Sequence, residues 1–95
     1  MKPPLRFEMT TTRAEFLRLL PAAVNHLRFV EEDGTFVHRD GARRWRIGLT
    51  PLSDLRLGMI RLERYGIDID FAGYSDAEIA DYLARFELYF RRGGG

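Results

Sequence analysis

A chain of 95 residues is long enough for one domain but too short for two separate hydrophobic cores. Hydrophobic residues make up 45% of the chain and aromatic residues 13%, which is enough for a packed core and argues against disorder. There is no cysteine, so disulfides, thiolate catalysis, iron–sulfur clusters and cysteine zinc sites are excluded.

The net charge of +1 hides an uneven distribution along the chain. Residues 38–64 hold seven arginines against three acidic residues, a net charge of +4. Residues 65–90 hold one arginine against six acidic residues, a net charge of −5. The middle of the chain is therefore basic and the part that follows it is acidic.

The opening residues Met1-Lys2-Pro3-Pro4 do not have the apolar run of a signal peptide. The longest apolar stretch, Leu19–Val24, contains a proline and is far shorter than the ~20 residues that span a bilayer. Together with the absence of cysteine, this predicts a cytoplasmic protein that does not enter a membrane.

The first two elements are a strand and a helix. Leu5, Phe7 and Met9 alternate with polar residues, which predicts a strand with one buried face. Thr12-Arg-Ala-Glu15 is a capping box, and the apolar stripe that follows predicts a helix. Pro21 is expected to end or kink this helix, because it has no amide to bond Leu17.

Two Asp-Gly dipeptides, Asp33-Gly34 and Asp40-Gly41, indicate type I′ hairpin turns. They predict a three-stranded meander over residues 26–31, 35–39 and 43–50. In its last strand Trp45, Ile47 and Leu49 share the face that is expected to point into the core.

The turn-forming residues of Thr50–Asp54 predict a loop after the meander. Two more strands are expected at Met59–Leu62 and Ile67–Phe71, separated by Arg64-Tyr65-Gly66.

Ser75-Asp-Ala-Glu78 is a second capping box and opens the longest predicted helix. Its apolar and aromatic residues spread over more than one face, so either Leu88 or an aromatic ring is expected at the surface, or the first helix covers them. Arg91 and Arg92 suit its C-terminus, and Gly93 is expected to end it. Residues 1–92 then form a single domain, and residues 93–95 a flexible glycine tail.

The predicted fold is α+β, with an antiparallel sheet of four to six strands in the order β-α-β-β-β-(β-β)-α and two helices on one face of the sheet. In element order it resembles a TATA-binding-protein-like or helix-grip arrangement. A ferredoxin-like sandwich is the alternative. Such a resemblance in layout implies no particular function.

No complete catalytic, cofactor or metal constellation occurs in the sequence. His26 and His38 are the two histidines, at opposite ends of adjacent predicted strands, and His38 beside Asp40 predicts a surface pair. Asp68 and Asp70 have the spacing of a metal-bridging pair, but alternation places them on the solvent face of a strand. We therefore expect no metal, no cofactor and a non-enzymatic role, and an active site assembled from residues distant in sequence stays open as an alternative.

The clearest positive feature is a group of arginines on neighbouring predicted strands, which could meet on one surface and bind an acidic protein or phosphates. The leading hypothesis is a small accessory domain that binds a protein partner, a second copy included, through this surface, the final helix or both. Nucleic-acid binding is the alternative, and a third reading takes Gly93–Gly95 as similar to the Gly-Gly tail of ubiquitin-like carriers. The candidate partner-binding residues are Arg39, Arg43, Arg44, Arg46 and Arg61.

Overall fold

The computed structural model of the chain describes the backbone of residues 5–94 and the side chains of residues 5–90. Five strands form one antiparallel sheet, and two helices complete an α+β fold, as predicted. The TATA-binding-protein-like layout stays a prediction. The elements are β1 (Leu5–Thr10), α1 (Arg13–Ala23), β2 (Val30–Glu32), β3 (Thr35–Asp40), β4 (Arg43–Leu57), β5 (Ile60–Ala72) and α2 (Asp76–Gly94).

The strand order across the sheet is β1-β5-β4-β3-β2, and all neighbouring strands are antiparallel. The first two strands in the chain are thus the two edges of the sheet, and α1 connects them. Both helices contribute to one hydrophobic core with the same side of the sheet, so within residues 5–90 neither helix covers the opposite side. We call that opposite side the open face.

The core lies between the helices and the central strands. Trp45 and Ile47 of β4 and Ile69 of β5 are fully buried, as is Phe16 of α1. Leu49 and Phe71 pack against this cluster from the same side. The predicted inward face of the meander is therefore confirmed.

One of the two predicted turns has the expected position, and the other is shifted by one residue. Asp33 and Gly34 both have positive φ angles, 52° and 76°, as a type I′ turn requires. In the second turn Asp40 pairs with Arg43, so the central residues are Gly41 and Ala42. Gly41 has φ +61°, the conformation that a type II′ turn needs at its first central position.

The connection after α1 differs from the prediction. β2 covers only Val30–Glu32, because Asn25 and His26 have left-handed φ angles of 56° and 58° and the chain turns there. Pro21 lies inside the last turn of α1 and the helix continues to Ala23, so it does not end at the proline.

Both predicted N-caps are present. The Thr12 hydroxyl accepts a hydrogen bond from the Glu15 amide at 3.1 Å, although the Glu15 carboxylate binds Arg18 instead of reaching back. At the second helix the box is reciprocal: the Glu78 amide donates to the Ser75 hydroxyl at 3.2 Å, and the Ser75 amide donates to the Glu78 carboxylate at 2.9 Å.

The end of α2 is only partly described. The helix continues past Gly93 to Gly94. The predictions for the side chains of Arg91 and Arg92 and for Gly95 lie outside the described residues.

The largest difference concerns β4 and β5, which form one long hairpin. The predicted loop at Thr50–Asp54 and the predicted break at residues 64–66 are wrong, since Thr50 pairs with Gly66 and Leu52 pairs with Arg64. Pro51 is tolerated because, among strands of residues 5–94, none pairs with the outer side of β4 beyond Gly48, so no partner there needs its amide. The actual turn is Gly58-Met59.

Candidate functional site

The five candidate arginines do not share one surface. Arg39, Arg44 and Arg46 lie on the open face, as their register with Ala72 and Asp70 shows. Arg43 is on the helix side and reaches α2, and Arg61 is on the far side of the hairpin from the open face.

Each of these arginines already has a carboxylate partner. The three on the open face share two carboxylates of neighbouring strands, those of Glu32 and Asp70, so these pairs balance two of their three positive charges. These are exposed pairs, which contribute little to stability but do cancel charge. The pairs are Arg39–Glu32 at 3.0 Å, Arg44–Asp70 at 3.8 Å, Arg46–Asp70 at 3.4 Å, Arg43–Glu78 at 2.8 Å and Arg61–Asp54 at 3.4 Å.

Asp68 and Asp70 lie on the open face, as the alternation predicts. Asp70 is engaged by arginines, whereas the Asp68 carboxylate turns toward Gly48 and has no ion pair among the described residues. In residues 5–90 no group of three or more His, Cys, Asp or Glu side chains is arranged to hold a metal ion.

The prediction of a surface His38 is wrong. His38 is 8% exposed and stacks on Trp45, with ring centroids 5.5 Å apart. Its Nδ1 atom lies 2.5 Å from the Arg28 carbonyl oxygen. Tyr82 also contacts Trp45, and burial raises the pKa of Tyr82, whose hydroxyl has no hydrogen-bond partner among the described residues. These groups lie in the aromatic core and present no reactive group to a ligand.

The outer half of the β4–β5 hairpin is the surface that the sequence analysis missed. The pairing of β3 with β4 stops at Gly48, and β1 ends opposite Arg64. Residues 53–62 therefore form a two-stranded ribbon, with no third strand from the described part of the chain beside them. The molecule is correspondingly elongated, with extents of 48 × 25 × 23 Å. We call residues 53–62 the ribbon.

One face of the ribbon is apolar. Leu55 pairs with Leu62 and Leu57 with Ile60, and both pairs continue the open face of the sheet. Leu57 and Ile60 are 56% and 59% exposed, and Met59 in the turn is fully exposed. Among the described residues, four of the nine exposed large hydrophobic side chains fall within residues 55–60, so this is a cluster and not background scatter.

This apolar face arises because the apolar side chains change from one face of the hairpin to the other along its length. In β5 the residues that face the helices have odd numbers, Tyr65 to Phe71, whereas the apolar residues of the ribbon have even numbers, Ile60 and Leu62. In β4 a bulge between Leu52 and Leu55 makes the matching change. The ribbon's apolar side chains therefore point away from the core and cannot join it.

The free edge of β4 is protected at the base of the ribbon. Pro51 lacks an amide, and the bulge after Leu52 interrupts regular pairing on the same strand. Both features hinder the addition of another strand to β4 at this point.

A shallow depression of about 440 Å³ continues this face at the base of the ribbon. Its floor is Gly66, which has no side chain and whose added Cβ would meet nothing closer than Leu52 at 3.7 Å. Arg6 and Glu8 of β1 form one wall, and Asp68 lies further along β5. The depression thus combines an apolar rim with one basic and two acidic side chains, and Glu8 is paired with Arg64.

The sequence did hold a signal for this surface. Gly58-Met59 separates two short apolar runs, which is the pattern of a type II′ hairpin, and Gly58 has φ +61°. The change from even to odd apolar positions between Leu62 and Tyr65 then indicates two opposite apolar faces.

Comparison with protein-family models, with curated proteins and with solved structures finds no match to this chain. Among the described residues, neither helix has the length and apolar character needed to cross a bilayer.

Proposed function

We propose that this chain is a non-enzymatic interaction domain that binds a protein partner through the apolar face of the ribbon. The observation that carries this proposal is the change of face along one hairpin. Leu57 and Ile60 are placed where the chain's own core cannot reach them. Their exposure to water is unfavourable unless another molecule covers them.

The size of the patch supports the proposal. The four exposed side chains of residues 55–60 present on the order of 450 Å² of apolar surface, within the range of functional patches on soluble proteins. A patch of this kind forms the centre of an interface, and polar residues form its rim.

The arginines of the open face lie at the other end of the hairpin, since Arg46 pairs with Asp70 and Leu55 with Leu62. Because Arg39, Arg44 and Arg46 are paired with carboxylates, they set orientation and association rate more than affinity. The same pairing gives less support to nucleic-acid binding, which depends on uncompensated cations along a phosphate backbone.

The test compares three forms of the chain as baits in cell extract. The wild type is compared with L57S/I60S, which removes the apolar face, and with R44Q/R46Q, which removes two candidate arginines. A captured protein is identified, purified and titrated against all three forms. We expect the affinity to fall at least tenfold in L57S/I60S and by less than threefold in R44Q/R46Q, because desolvated apolar groups contribute more than exposed charges.

Circular dichroism and urea unfolding provide the control, since ribbon substitutions are expected to leave the fold intact. A partner that binds L57S/I60S as well as it binds the wild type would refute the proposal. Loss of binding in R44Q/R46Q alone would show that the partner binds the arginine surface instead of the ribbon.

A further inference from the structure

We infer that the ribbon's apolar face binds the same face of a second copy of this chain, in a two-fold antiparallel arrangement. This inference rests on the proposed function and names its partner. In this arrangement the turn of each copy lies over the depression of the other.

The dimensions of the ribbon suit such a pairing. Ile60 at the turn and Gly66 at the depression are six residues apart on β5, which is about 20 Å along a strand. A two-fold axis through the middle of this distance, at the level of Glu63, superimposes each turn on the opposite depression. The dimer then contains two equivalent contacts, each between the turn of one copy and the depression of the other.

The shapes of the two ends are complementary. Met59 is fully exposed and projects from the turn, whereas the floor at Gly66 has no side chain. Methionine is unbranched and adapts to irregular apolar space, and the Leu52 rim offers it an apolar contact.

The antiparallel arrangement is favoured by shape and not by charge. Arg56 and Arg61 lie on the side of the ribbon opposite to Leu57 and Ile60, and Arg61 is already paired with Asp54. A parallel arrangement would place turn on turn and leave both depressions empty, whereas the antiparallel arrangement places each Met59 over a Gly66 floor.

The small area of the contact is typical of a weak, transient interface. Two apolar ribbon faces together bury on the order of 900 Å², and the depressions raise this toward the ~1,200 Å² at the lower limit of specific interfaces. We therefore expect a dimer that dissociates in the micromolar range. Sedimentation velocity between about 1 and 200 μM covers this range.

The test of register uses disulfide cross-linking, because the chain has no cysteine of its own. M59C and G66C chains are mixed in equal amounts and oxidised. A new cysteine at Gly66 is sterically accommodated, since its Cβ meets no atom closer than 3.7 Å. We expect the mixed disulfide to form at least tenfold faster than M59C or G66C alone form theirs.

The single variants are the matched controls. In the antiparallel dimer the two copies of residue 59 are about 20 Å apart, and so are the two copies of residue 66, beyond the ~7 Å Cα separation of a disulfide. Rapid cross-linking of M59C with itself would overturn the antiparallel arrangement. Equal rates for the mixture and the single variants would overturn any defined contact.

A second variant tests the depression without disturbing the fold. G66V fills the floor with a β-branched side chain that suits a strand. We expect at least a tenfold weaker dimer with an unchanged or higher midpoint of unfolding. A G66V dimer as tight as the wild type would overturn the role of the depression.

The outcomes also separate this inference from the proposed function. A wild-type chain that is monomeric at 200 μM, but captures another protein in a ribbon-dependent manner, refutes the second copy as partner and leaves the proposed function standing. A monomer that captures nothing through the ribbon refutes both.

Discussion

Two pairs of facing residues in the same hairpin have opposite surroundings. At its base Ile47 pairs with Ile69, and both are fully buried under the helices. At its outer end Leu57 pairs with Ile60, and more than half of each side chain is in water. The two pairs are chemically alike, so composition does not explain the difference. What differs is which face of the strands the helices cover.

This comparison shows how one element can serve both stability and recognition. The base contributes to the core, and the ribbon can carry apolar residues because it is anchored by the base. If the two halves are separable, a change in one should leave the other intact.

The largest effect is expected from truncating the base. I69A removes a fully buried side chain and should lower the free energy of unfolding by about 2–5 kcal/mol, whereas I60A in the ribbon should change it by less than about 0.5 kcal/mol. Urea denaturation measures both. A large loss in I60A would mean that the ribbon is part of the folding unit.

The two strand glycines on the open face should respond differently. A Cβ at Gly48 would lie 2.5 Å from the Asp68 carboxylate, whereas one at Gly66 meets only ordinary contacts. G48A is therefore expected to lower stability by about 1 kcal/mol because Asp68 must move, while G66A should be neutral or slightly stabilising. Thermal unfolding of both variants measures this difference. Equal losses of stability in G48A and G66A would contradict the prediction.

A change in the turn should remain local. Gly58 has φ +61°, so G58A introduces strain of about 1 kcal/mol at the ribbon's end. We expect faster hydrogen exchange of amides in residues 53–62 and unchanged protection at Ile47 and Ile69. Faster exchange throughout the sheet would argue against two separable halves.

The smallest effect concerns the cap that joins α2 to the base. Hydrogen bonds from the Ser75 amide and hydroxyl, with Arg43 nearby, hold the pKa of Glu78 below its usual value. The stabilisation is therefore present above the ordinary pKa of a glutamate and is lost as the pH falls through the lowered one. E78Q should remove this part of the acid dependence, and a pH series of unfolding midpoints would detect it. If the unfolding midpoints of E78Q and the wild type fall equally at low pH, the cap contributes nothing to the acid dependence of stability.

Local patterns were sufficient for much of the fold. The capping residues Thr12 and Ser75, the Asp33-Gly34 turn and the inward placement of Trp45 all follow from interactions within a few residues. The second turn differed by one residue because glycine, not aspartate, occupies its first positive φ position.

The long hairpin was harder to predict because its evidence is not local. Pro51 and Gly66 both lower the local strand propensity. Pro51 nevertheless lies in β4 where that strand is an edge, and Gly66 pairs with Thr50 inside the sheet. Likewise, the carboxylate partners of Arg44 and Arg43 come from β5 and α2, which only the folded chain brings near. A run of arginines in sequence therefore says little about free positive charge on the surface.

The position of the only tryptophan gives the molecule a built-in optical reporter. Trp45 is fully enclosed at the base and stacked on His38, so its emission is expected to shift to longer wavelength only when the core opens. The ribbon contains no aromatic residue. Fluorescence will thus follow unfolding while remaining silent to events at the outer end, and the two processes can be recorded separately in a single sample.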